Sequence, residues 1–90
     1  MKTTVSTFHI EITDTFGGDA NYSWKKEFLV VASSLRGAIT KLAKSQGAGW
    51  LKEWDCGDTA RYNLQGAAIC AFVSYMPESA LSQHNTVKYI

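Results

Sequence analysis

The chain predicts an α+β domain: a mainly antiparallel sheet of four to five strands with one amphipathic helix packed on one face. Three observations lead there. Phe8, Ile10 and Ile12 alternate with polar residues in "STFHIEITD". Leu35, Ala38, Ile39, Leu42 and Ala43 repeat at i, i+3, i+4, i+7 and i+8, the apolar stripe of a helix. "AAICAFVSYM" is almost continuously apolar. Ninety residues hold a single core. The order strand, strand, helix, strand, short strand, strand is ββαββ-like. Residues 1–76 are expected to form the domain, and 77–90 a tail that is flexible or adds an edge strand.

The first segment buries Phe8, Ile10 and Ile12 and leaves Thr7, His9, Glu11 and Thr13 on a wet face. "FGGDAN" then carries Gly17, Gly18, Asp19 and Asn21, which tolerate positive φ. The second strand, Tyr22–Ala32, places Tyr22, Trp24, Phe28 and Val30 on one side, with Lys26 among them. Ser23, Lys25 and Glu27 lie on the other side, which Leu29 and Val31 make apolar toward its end. The pair reads as an antiparallel hairpin with a long tip, its first strand closed by Asp14. Ser33 or Ser34 caps the helix, and Gly47 and Gly49 stop it. Gly37 costs about 1 kcal/mol against alanine in a helix, which predicts a packing reason for it.

In "WLKEWDC", Trp50, Lys52, Trp54 and Cys56 alternate with Leu51, Glu53 and Asp55, giving a strand. "GDT" turns the chain, "ARYNL" is a short strand or extended loop, and "QG" is a bulge or second turn. The apolar run Ala67–Met76 reads as a strand buried on both faces and hence central, ended by Pro77. In the tail Val87, Tyr89 and Ile90 alternate.

Hydrophobic residues make up 46% and aromatic residues 12%, which excludes intrinsic disorder. A core this small is marginal, so a homodimer would supply extra stability. The formal charge of +1 shows neither the basic excess of a nucleic-acid binder nor the acidic excess of a DNA mimic. Two cysteines are too few for a small secreted disulfide scaffold. "MKTTVSTFHIEI" lacks the apolar core of a signal peptide, and no run is long enough to span a membrane. A cytoplasmic protein with reduced thiols is expected.

Catalytic signatures are missing. His9 falls on the polar face of the first strand and His84 in the tail, both expected to be ordinary exposed histidines. Cys56, Asp55 and Asp58 lack paired zinc-ligand spacing, and the zinc-deaminase signature does not occur. Cys70 reads as core. "DTFGGD" lacks the Gly-Lys-Ser/Thr of a phosphate loop and the spacing of an EF-hand. No enzyme activity, metal or cofactor is expected. Two surfaces remain as candidates. The hairpin tip offers Phe16, Asp19, Asn21, Tyr22 and Trp24, aromatics being the commonest binding anchors. The helix offers Arg36, Lys41 and Lys44, read first as a solvated face and second as a phosphate-contacting ridge.

The stretches "DTFGGDANYSW" and "GDTARYNLQGAAICAF" resemble blocks in a group of small, mostly uncharacterised bacteriophage and prophage proteins. The matching positions are Asp14 to Gly18, Asn21 to Trp24, Gly57, Asp58, Ala60 to Asn63, Gly66, Ala67 and Cys70 to Phe72, within a similarity running from Phe8 to about Tyr75. The resemblance implies a phage setting and carries no enzyme activity. Small phage proteins of this kind often bind and block a host or defence complex, some of them CRISPR–Cas effectors. The leading expectation is therefore an interaction protein of the anti-CRISPR or other anti-defence type. The alternatives are a small nucleic-acid-binding module using the helix and a sponge for a signalling nucleotide.

Overall fold

A computed structural model describes residues 5–46, 49–77 and 87–90. Strands β1 (Ser6–Phe16) and β2 (Asp19–Ala32) precede helix α1 (Leu35–Gln46), and β3 (Trp50–Asp55), β4 (Thr59–Leu64), β5 (Ile69–Tyr75) and β6 (Lys88–Tyr89) follow. They form one sheet in the order β3-β4-β5-β1-β2-β6. β1 through β5 pair antiparallel. "ARYNL" is thus a full strand, and the apolar run of β5 lies at the centre beside β1, as its composition predicts. The tail does add an edge: Lys88 and Tyr89 pair parallel with Phe28 and Leu29. His84 and Gly47 lie outside the described residues.

The helix starts where Ser34 caps it. The Ser34 hydroxyl accepts the Gly37 N–H at 3.0 Å, and its carbonyl accepts that of Ala38. A Cβ on Gly37 would sit 3.3 Å from the Ser34 hydroxyl and 3.5 Å from the Ala32 methyl, so close packing of cap and strand explains this glycine. Leu35, Ala38, Ile39 and Leu42 press onto Phe8, Ile10, Ile12, Val30, Ala71 and Val73, and this is the core. Each of the larger side chains, Phe, Ile, Leu or Val, stabilises the fold by roughly 1.5–3 kcal/mol when fully buried.

The register defines the sheet's other face in rows. Glu27, Glu11, Phe72, Arg61 and Trp54 lie side by side across five strands. Next to them run Lys25, Thr13, Cys70, Asn63 and Leu51. The alternation in β1 predicts a wet face here, and the structure corrects this. Thr13 and Cys70 have no exposed surface and His9 is buried. His9 is therefore no exposed surface histidine: it sits between Leu29 and Ser74, with its Nε2 3.5 Å from a Glu27 carboxylate oxygen that Lys25 also approaches.

Strand β3 departs from simple alternation as well. Its pairing with β4 slips between Lys52 and Trp54, a β-bulge at Glu53. Trp54 therefore faces Phe72, with ring centroids 6.4 Å apart, on the side away from the helix. Asp55, opposite Ala60, turns to the helix side with Lys52.

Candidate functional site

The β1–β2 tip is tighter than the long loop its composition suggests. β1 continues past Asp14 to Phe16, which pairs directly with Asp19. Only Gly17 and Gly18 turn the chain, with φ of 63° and 90°. Positive φ at both central residues is the signature of a type I′ turn, whose twist matches that of the flanking strands.

The last residue of the expected turn, Asn21, and the first three of the expected strand, Tyr22–Trp24, form a bulge within β2. Thr13 pairs with Lys25 and Thr15 with Ala20, which leaves Asp14 alone opposite Asn21, Tyr22, Ser23 and Trp24. Two side chains of β1 hold these residues. The buried Thr13 hydroxyl donates to the Trp24 carbonyl and accepts the Tyr22 N–H, both at 3.0 Å. The Asp14 carboxylate accepts the Ser23 N–H on one oxygen and the Asn21 side-chain amide on the other, each at 2.9 Å. Hydrogen bonds from Ser23 and then from the Asn21 amide lower the Asp14 pKa to about 2. Tyr22 takes a φ of 55°, unusual for a residue with a side chain. Its phenol is pushed above its ordinary pKa, first by its hydrogen bond to Glu11.

Two further bonds tie the tip to the rest of the sheet. The Thr15 N–H donates to the Ala68 carbonyl at 2.9 Å. The Arg61 guanidinium lies 5.8 Å from the Phe72 ring centre and donates to the Gly18 carbonyl at 2.5 Å. The hairpin end thus leans over the face opposite the helix. Neither Arg61 nor Thr13 belongs to the two candidate surfaces that the sequence suggests. Their signal was weak: Arg61 sits in a short segment of ambiguous structure, and Thr13 in a row read as solvent-facing.

The five tip candidates are brought together, with unequal freedom. Phe16 is 80% exposed and stands at the turn. Asp19 is exposed beside it. Asn21 and Tyr22 are exposed, but their polar groups are engaged by Asp14 and Glu11. Trp24 commits its carbonyl to Thr13 and keeps 40% of its surface open. The helix candidates are not brought together. Arg36 lines clefts beside β3, whereas the Lys41 ammonium donates to the Val31 carbonyl at the end of β2. Lys44 is exposed in the last turn, where a cation complements the helix dipole.

Cys56 and Cys70 are separate free thiols, the first exposed at the β3–β4 turn and the second buried in β5. The Cys56 thiol donates to the Thr59 carbonyl at 3.4 Å. Among the described residues no group of three or more His, Cys, Asp or Glu side chains could hold a metal ion, and no helix is long and apolar enough to cross a membrane. No protein-family model, curated protein or solved structure matches this chain.

Proposed function

We propose that this chain is a small, non-enzymatic interaction protein of phage origin. It docks through the β1–β2 tip on a host or bacterial-defence protein complex in the bacterial cytoplasm and inhibits or modulates it. The observation that carries the docking surface is Phe16. A large apolar ring, four-fifths exposed, stands on a two-residue turn braced by Thr13, Asp14 and Arg61. An exposed aromatic on a preformed support suits an interface anchor, because little ordering entropy remains to be lost on binding. Asp19 pairs with Phe16 across the turn, and Trp24, in the bulge opposite Asp14, keeps 40% of its surface open. The phage setting and the choice of a defence complex rest on the resemblance of the "DTFGGDANYSW" and "GDTARYNLQGAAICAF" blocks alone.

Immobilised wild type and Phe16→Ala are compared as baits in nuclease-treated bacterial lysate at low and high salt, and the captured complex is then titrated in purified form. Binding is expected to survive nuclease and salt. It should weaken by about 2 kcal/mol or more, roughly thirtyfold, in Phe16→Ala with the melting temperature nearly unchanged. Capture that disappears with nuclease and falls steeply with salt would replace this reading with the nucleic-acid module. Capture indifferent to Phe16 would move the interface elsewhere.

A further inference from the structure

Helix α1 packs against β2, β1 and β5 and closes one core with Ala60 and Tyr62 of β4, while β3 lies beside it with Lys52 and Asp55 exposed. An open cleft of about 450 Å³ lies there, lined by Arg36, Trp50, Lys52, Asp55 and Tyr62. A second cleft of about 460 Å³ shares Arg36 and Asp55 with it and runs on past the helix start, along Ser33 and Ser34. Volumes of this size suit small-molecule ligands.

The β-bulge at Glu53 sets the chemistry of this cleft. Under uninterrupted alternation Trp54 would share the side of Lys52, and Asp55 would point away. The slip exchanges them, so a carboxylate stands beside Lys52 and Tyr62. Bulges commonly re-aim a side chain in this way next to functional sites.

The polar groups of the cleft are largely uncommitted. Neither Arg36 nor Lys52 forms an ion pair among the described residues. One Asp55 oxygen accepts the Gly57 N–H at 2.8 Å, which leaves the other available. The Trp50 indole N–H is buried with no hydrogen-bond partner, so Trp50 offers the cleft ring surface and no donor. Burial, followed by the Asp55 charge, raises the Tyr62 pKa, so its phenol lies near that carboxylate.

Two unpaired cations, two aromatic side chains and one half-free carboxylate thus line one cavity. We propose that this cleft binds a nucleoside monophosphate, with Arg36 and Lys52 holding the phosphate, Trp50 and Tyr62 lining the base, and Asp55 accepting from the N–H groups of the base. Two cations match a phosphate dianion better than the single carboxylate of an amino acid, and the Arg36 guanidinium fits phosphate oxygens in pairs. The cleft lies on the helix side of the sheet, away from Arg61, and does not depend on the docking role of the hairpin tip.

The test is calorimetric titration of the full chain, at low salt, with AMP, GMP, CMP and UMP. Inorganic phosphate, guanosine, adenosine and free tryptophan serve as controls. At least one monophosphate is expected to bind, with phosphate or nucleoside alone at least tenfold weaker. Arg36→Gln and Lys52→Gln, both at exposed positions and therefore neutral for folding, should each weaken binding about tenfold or more. Asp55→Asn should change the preference among bases more than the affinity for phosphate. Four results would each overturn the proposal: no binding by any monophosphate at millimolar concentration, phosphate alone binding equally well, free tryptophan binding better, or monophosphate affinity unchanged in Arg36→Gln and Lys52→Gln. Circular dichroism of each variant confirms that a loss of binding is not a loss of fold.

Discussion

Arg61 donates to the Gly18 carbonyl at 2.5 Å across forty-three residues of sequence, joining β4 to a hairpin turn that no strand pairing links to it. A charged donor to a backbone carbonyl contributes about 1–3 kcal/mol. Arg61→Ala should therefore lower the unfolding free energy by about 1–2 kcal/mol in urea. It should also raise amide exchange at Asp19, next to the turn, more than in the β1–β5 ladder. Arg61→Lys should recover little of this, since an ammonium lacks the planar fork that lies against Phe72.

Asp14 makes the bulge acid-sensitive. Its pKa is lowered in the fold, from an ordinary 3.8 to about 2. The stability it contributes is therefore complete above the unfolded value and is lost as pH falls through the folded one. The Ser23 amide resonance should titrate with a midpoint near 2, while amides of β5 stay still. In Asp14→Asn that titration should vanish, and Ser23 should exchange faster at neutral pH because a neutral amide is a weaker acceptor than the carboxylate.

Glycine is required at the turn for its backbone alone. A Cβ on Gly17 or Gly18 would meet nothing within 4 Å, yet both sit at positive φ. Gly17→Ala should cost about 1 kcal/mol in thermal melts, the strain of a left-handed alanine. Gly17→Asn should be neutral or stabilising, because Asn-Gly suits a type I′ turn. A Gly17→Ala protein as stable as wild type would mean that the turn rearranges freely and the tip is not preformed.

The two thiols should react at very different rates. Cys56 is exposed, whereas Cys70 is buried and its pKa is raised chiefly by that burial. A thiol reagent should label Cys56 at once and Cys70 only as fast as the protein opens, a difference read by mass spectrometry with and without denaturant. Cys56→Ser should leave stability within about 0.5 kcal/mol of wild type.

Where burial follows a local period, the sequence was legible. Phe8, Ile10 and Ile12 fall on the core side of β1, and Leu35, Ala38, Ile39 and Leu42 fall on the packed side of α1. What escaped was each place where side chains remake the register. The Asp14 bonds to Ser23 and Asn21 absorb the extra residues of β2 into a bulge, so composition suggested a long loop where the chain turns on two glycines. Glu53 reverses the last part of β3, and no local pattern announces it. His9 looks exposed in β1 alone and is buried by its neighbours Leu29 and Ser74 on other strands. Of the site, the aromatic tip could be read from residue types. The long-range brace from Arg61 could not, and the separation of Arg36 from Lys41 depends on how α1 lies over the sheet.

The sheet order has a consequence for how the domain comes together. β1, β2 and α1 are contiguous in the chain, and so are β3, β4 and β5. A single ladder, from Phe8 opposite Tyr75 to Asp14 opposite Ile69, joins the two groups into one sheet. Within each group the pairings are local and quick to form. Each group alone would leave an apolar strand edge open, β1 on one side and β5 on the other. The domain is therefore an intramolecular dimer of two edge strands. Its cooperativity resides in that seam together with the core that α1 closes over β5, and the covalent link between the groups sets their effective concentration.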